Sequence, residues 1–203
     1  MRQLTLPLAA GASPSRILVG SANAAVVDAF SRAADWPFRT VVLTGPPRSG
    51  KSLLARWFAA SGQGEAIDDA QRMDETALFH RWNRAQELGR SLLIVNGAGE
   101  GGWQVRLPDL ASRLGGSLHL EIGPPDEAMM ADLLALHAEL RGFTLGPDAA
   151  AYLVARAERS HVGVERVVEA IDRLSLERKQ PPTLGIWRDA LEEVQGSSQP
   201  RLP

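Results

Sequence analysis

Residues 45 to 52 read GPPRSGKS: a glycine, four residues, then Gly-Lys-Ser. That spacing suits one chemistry, the holding of a chain of phosphates. Phosphate oxygens need several N–H donors and a cation at once. Gly45 and Gly50 let the backbone approach, and a helix starting at Lys51 adds the positive end of its dipole. Pro46 and Pro47 carry no N–H, so the cradle must use the amides of Arg48, Ser49, Gly50, Lys51 and Ser52. The Lys51 ammonium would reach the β- and γ-phosphates, and the Ser52 hydroxyl would hold Mg²⁺.

Phosphoryl chemistry at such a loop also needs carboxylates, and IDD (67–69) supplies two. Asp68 is placed to meet the Mg²⁺ through water, and Asp69 to orient an attacking water. An ordinary Asp-Asp turn would look the same in sequence. Asn96 ends the apolar run SLLIV and would stand between the strand of the phosphate loop and that of Asp68, near the γ-phosphate. LPDLASRLGG (107–116) reads as a short helix closed by two glycines, with Arg113 in its last turn. An arginine there either offsets the helix dipole or offers a guanidinium to something else.

These residues need strands and helices in a fixed order to meet. RTVVLTG (39–45), EAID (65–68), SLLIVNG (91–97) and SLHLEIG (117–123) read as strands. Helical spacing falls between them, at 23–34, 51–60 and 73–88. Strands alternating with helices predict a parallel α/β sheet. After Gly123 only helical patterns follow. PPDEAMMADLLALHAEL places Met129, Leu133, Leu136 and Leu140 on one face, Pro147 opens a second helix and VERVVEAIDRLSLE continues a third. The expected organisation is a terminal peptide and linker at 1–15, an α/β unit at 16–123, a helical unit at 124–194 and a disordered tail at 195–203.

The remaining composition excludes more than it assigns. Twenty-two Lys and Arg face 24 Asp and Glu in 203 residues, which is not the basic excess of a nucleic-acid-binding domain. Cysteine is absent, so neither disulfides nor thiolate metal sites exist. The four histidines have no metal-ligand spacing and read as structural. Residues 1–12 have a broken apolar run, shorter than the core of a secretory signal. No run approaches the roughly 18 apolar residues of a membrane span. A cytoplasmic protein without membrane contact is expected.

Phosphate loop, IDD, Asn96, SRL and a helical lid in this order resemble an AAA+ ATPase domain. The strings ILVGSANAAVV, DDAQRMDETALFHRWN, LPDLASRL and LEIGPPDEAMMADLL resemble the DnaA-related branch, and within it the short Hda family, over roughly residues 1 to 193. The resemblance implies an AAA+ fold with a lid, ADP or ATP with Mg²⁺, and Asp68 and Asp69 as the Walker-B pair. It also implies Arg113 as an arginine finger serving a neighbour. The chain ends where a DnaA would continue into its DNA-binding domain, so contact with DNA would be indirect.

The resemblance gives meaning to QLTLPL at residues 3–8 as well. Gln3, Leu4, Leu6, Pro7 and Leu8 match the family's peptide for the sliding clamp, the β subunit of DNA polymerase III. AAGASPS would then be its flexible tether, and the peptide a displayed ligand rather than an edge-packed terminus. Three departures stand out. The usual second strand and its helix are missing between Gly62 and Glu65. The lid position of the sensor arginine is Glu165, with Arg166 one residue on, about 100° around a helix. The strand before Asp68 has only Ala66 and Ile67 clearly apolar.

Three functions fit these residues: a clamp-bound regulator that stimulates hydrolysis of DnaA-bound ATP, an autonomous AAA+ ATPase such as a helicase or DnaA-like loader, and a small-molecule kinase. The terminal peptide favours the first. Homo-oligomerisation is left open.

Overall fold

The computed structural model describes residues 2–5, 16–97 and 102–198. The chain divides into two compact units, Met1–Gly123 and Pro124–Pro203. The first holds β1 (Arg2–Thr5), β2 (Arg16–Val19), α1 (Ala24–Phe30), β3 (Thr40–Thr44), α2 (Lys51–Ala60) and β4 (Gly64–Ile67). It continues with α3 (Glu75–Glu87), β5 (Ser91–Val95), α4 (Pro108–Gly115) and β6 (Leu118–Glu121).

Four strands form one parallel sheet in the order β4-β5-β3-β6. Every residue of β5 is buried, as a central parallel strand with both faces covered requires. β5 lies between β3 and β4, the position its Asn96 needs. α2 leads through Ser61–Gln63 straight into β4, so the sheet lacks the strand that the sequence also lacks. Because the strands are parallel, their C-terminal ends share one edge. Gly45, Asp68, Asn96 and Ile122 therefore gather there, while Phe38, Arg39 and Ser117 lie at the opposite edge.

On one face, Val42, Ile67, Leu92 and Ile94 pack with Leu78, Trp82 and Ala85 of α3 and with Leu110 and Leu114 of α4. The α3 residues recur at helical spacing, and each large side chain buried this way contributes about 1.5–3 kcal/mol. Asp74 caps α3 by accepting the Ala77 N–H at 2.8 Å. Elsewhere in this unit Phe30, Trp36, Trp57 and Phe58 form an aromatic cluster, with Phe30 edge-on to Phe58 at 5.3 Å.

The free-peptide expectation needs correction. Arg2–Thr5 is a strand, antiparallel to β2, with Gln3 opposite Leu18 and Leu4 opposite Ile17. Alternating residues with extended preference satisfy their backbone groups by pairing, and RILV at 16–19 offers the edge. Leu6, Pro7, Leu8 and the linker lie outside the described residues.

The second unit holds α5 (Glu127–Leu140), α6 (Pro147–Val154), α7 (His161–Arg178) and α8 (Leu184–Ser198). Pro147 stands at the first turn of α6, as its fixed φ allows. The α5 face differs in part from the expected one: Met129 is buried and Leu133 packs against the core, but Met130, Leu134 and Ala138 complete the buried face, whereas Leu140 is 60% exposed. The helix is apolar nearly all round, so spacing alone admitted two faces. α8 is a separate helix beyond the three expected in this unit, with Ile186, Ala190 and Leu191 buried at helical spacing. It also runs to Ser198, so residues 195–198 are helical rather than tail; 199–203 lie outside the described residues.

Candidate functional site

The phosphate loop connects β3 to α2. Gly45 has φ 148°, and a Cβ there would meet Ile122 Cβ and O at 2.9 Å, so only glycine lets the loop pass the end of β6. Gly50, at φ 90°, caps α2 in the left-handed region. The Ser49 N–H turns inward to Pro46 O at 3.3 Å, which takes one amide from those expected in the cradle. The first-turn N–H groups of α2 have no intrahelical acceptor and remain for an anion. Ser49 is buried, and its Oγ has no hydrogen-bond partner among the described residues. A buried hydroxyl left so is an orphan that a phosphate oxygen or water would satisfy.

Lys51 Nζ donates to Gly45 O at 2.7 Å and Pro46 O at 2.9 Å, which holds it inside the loop. Burial lowers its pKa from 10.5, and the negative charges of Asp68 and Asp69 oppose that fall. The charges of the two carboxylates thus act on the ammonium. Ser52 is exposed on the first turn of α2.

Asp68 and Asp69 are exposed just past β4. Asp69 adopts φ 48°, a left-handed conformation uncommon for a residue with a Cβ. Its Oδ1 accepts from Gln71 Nε2 at 3.3 Å, and Gln71 Oε1 accepts the Gly97 N–H at 2.8 Å. Gln71 thus ties the carboxylate to the loop after β5. Asn96 sits at that loop's start, its N–H bonded to Leu43 O at 2.9 Å. Gly45, Lys51, Asp68, Asp69 and Asn96 thus share one sheet edge. Gln71 was not a sequence candidate, since a glutamine in a short turn carries no signal.

Arg113 lies elsewhere. It occupies the last turn of α4, just before Ser117 leads into β6, and so belongs to the opposite edge. Its guanidinium lies 4.9 Å from the centroid of the Trp82 ring, on α3. Arg166 is exposed on α7, and Glu165 beside it is half-buried.

Residues 126–191 match the family model of the Hda lid domain. Domain III of the replication initiator DnaA from Thermotoga maritima superposes with a TM-score of 0.70 at 15% identity, covering 88% of this chain and 94% of that one. AMPPCP-bound DnaA from Aquifex aeolicus gives 0.58 at 16%, covering 80% of this chain and 66% of that one, so this chain spans about two thirds of that initiator. The RuvB Holliday junction branch migration motor of Thermotoga maritima gives 0.61 at 18%, covering 86% and 70%. At these identities the structural likeness establishes the fold, a parallel-sheet AAA+ unit with a helical lid region.

Proposed function

From the Hda lid match over residues 126–191 and the AAA+ fold, we propose that this is an Hda-like, DnaA-related protein that regulates the initiation of DNA replication in the cytoplasm. It acts as an adaptor: it docks on the sliding clamp through QLTLPL, binds ADP or ATP in its own loop and accelerates hydrolysis of DnaA-bound ATP with Arg113. Re-initiation is thereby prevented. The observation that carries this reading is the separation of Arg113 from the chain's own phosphate loop, at opposite edges of one parallel sheet. A guanidinium so placed serves a phosphate brought by another molecule.

The nucleotide fits the loop on its own chemistry. Ser49 Oγ is an orphaned buried hydroxyl, the first turn of α2 offers its amides, and Lys51 supplies the cation. ATP or ADP bound there would bring Mg²⁺, whose preference for waters, phosphates and one carboxylate suits Ser52 and Asp68. The AMPPCP held by the Aquifex initiator supports the same choice of ligand. Within this chain Asp69 and Asn96 would orient a water or a γ-phosphate oxygen. At the partner, Arg113 would meet the charge that develops on the transferring phosphoryl group, where a planar fork of donors is most effective. Clamp docking rests on the match of QLTLPL to the family's clamp peptide, and Gln3 and Leu4 would exchange their pairing with β2 for the groove.

The test is an ATP-hydrolysis assay on DnaA with purified protein and clamp loaded on DNA. Rapid loss of DnaA-bound ATP, with little turnover by this chain alone, is the expected result. Substantial turnover by this chain alone, with no effect on DnaA, would instead establish an autonomous ATPase.

A further inference from the structure

The Arg113 surface is built, and its builder is α3. Glu75, in the first turn of α3, accepts the N–H of Arg106 at 3.0 Å and of Leu107 at 2.6 Å, which fixes the start of α4. Two turns along α3, Trp82 presents its ring to Arg113 in the last turn of α4. One helix therefore holds both ends of the other. Trp82 itself is only 4% exposed, packed among Leu78, Leu110 and Leu114. Phe38 tilts against its ring at 6.1 Å, and Phe38 and Arg39 are both left-handed, at φ 49° and 46°. The Phe38 carbonyl accepts from Gln86 Nε2 at 2.7 Å and Thr40 Oγ1 at 2.8 Å, bonds that fix the loop in this conformation.

We propose that Trp82 is a positioning residue for Arg113, holding the guanidinium by its face so that its N–H fork stays open to a partner's phosphate. The proposal rests on the finger role given to Arg113 above. The physical point is how an arginine can be oriented without being neutralised. A carboxylate would orient it but would occupy the fork and cancel its charge. A ring face attracts the cation through the quadrupole and leaves the in-plane donors outward. Among the described residues the Arg113 side chain has no carboxylate within ion-pair distance and one ring beneath it. Lysine cannot reproduce this, because an ammonium has no plane to stack.

The experiment pairs Trp82→Leu, which keeps an apolar side chain but removes the ring, with Trp82→Phe, which keeps a ring. Trp82 Nε1 has no hydrogen-bond partner among the described residues, so Phe loses no bond that the fold uses. Both are assayed for stimulated hydrolysis of DnaA-bound ATP at saturating protein, beside Arg113→Ala. Trp82→Leu should lower the maximal rate about tenfold without shifting the half-saturating concentration, and Trp82→Phe should restore most of it. The double variant, Trp82→Leu with Arg113→Ala, should be no worse than Arg113→Ala alone. A second readout needs no partner: in wild type the Arg113 side-chain protons should show an upfield ring-current shift by NMR, lost in Trp82→Leu.

Equal maximal rates for wild type and Trp82→Leu, with Arg113→Ala inactive, would overturn the positioning role and leave the finger intact. Absence of the ring-current shift in wild type would overturn it even if Trp82→Leu failed to fold. Full stimulation by Arg113→Ala would overturn both roles together.

Discussion

The two edges of the parallel sheet are built in opposite ways. At the C-terminal edge the phosphate loop is one contiguous stretch, Gly45 to Ser52, made of backbone amides, a hydroxyl and an ammonium. At the other edge the Arg113 surface joins three distant segments, around Phe38, Trp82 and Arg113, through ring faces. The first is polar and carries its own geometry in its glycines. The second depends on helix packing, so its precision is inherited from the core. A contiguous site survives changes in the fold around it better than an assembled one, and the two should therefore respond differently to the same kind of damage.

The sharpest test of that contrast is Arg113→Ala, which should leave folding, nucleotide binding and clamp binding intact but lose stimulation. Arginine fingers in GTPase systems are worth about 10³–10⁵ in rate, and a loss of that order is expected here. Arg113→Lys should fail nearly as badly. If Arg113 merely offset the dipole of α4, Ala would cost about 0.3–1 kcal/mol of stability and stimulation would persist. A second contiguous motif extends the comparison: Gln3→Ala with Leu6→Ala should remove clamp binding, at a cost on the order of several kcal/mol. The β1–β2 ladder uses backbone groups, so the melting temperature should hardly move; a large fall would break the claim.

At the phosphate loop, Lys51→Ala should weaken nucleotide binding by about 1.5–3 kcal/mol, the worth of a charged hydrogen bond, as read by calorimetry. It should leave the ring-current signature of Arg113 untouched. The smallest effect is protonic. Burial lowers the Lys51 pKa below 10.5, so between the lowered value and 10.5 the unfolded chain binds that proton more tightly. Stability from this group therefore rises with pH across that window and is constant below it. A bound phosphate chain would raise the pKa again, so nucleotide binding should take up a fraction of a proton there. Titration in buffers of different ionisation enthalpy reads this uptake, and Lys51→Met should abolish it.

Legibility in the sequence followed the same division. The α/β alternation, the missing strand between Gly62 and Glu65 and the loop of Lys51 could be read locally, because strand runs and glycine spacing are local signals. The place of Asn96 between two strands followed from topology. What failed had more than one local solution. α5 is apolar on several sides, so Leu140 could not be told from Met130 by periodicity. QLTL reads as a displayed ligand rather than an edge-packed terminus, and in the fold Gln3 and Leu4 pair with β2. Trp82 read as one more apolar residue of α3, since nothing in its neighbourhood announces a guanidinium on the following helix.

Among the described residues β4 stands at the sheet's end, with β5 on one side only. A row of unsatisfied N–H and C=O groups is a template on which a second chain can add a strand and begin to aggregate. β4 is only four residues long, and its Glu65 is paired with Arg90 at 2.9 Å and reaches Arg81 at 3.9 Å. Shortness and charge are the two common guards of such an edge. Glu65→Ala should therefore first appear as turbidity in concentrated solution, with the fold itself unchanged.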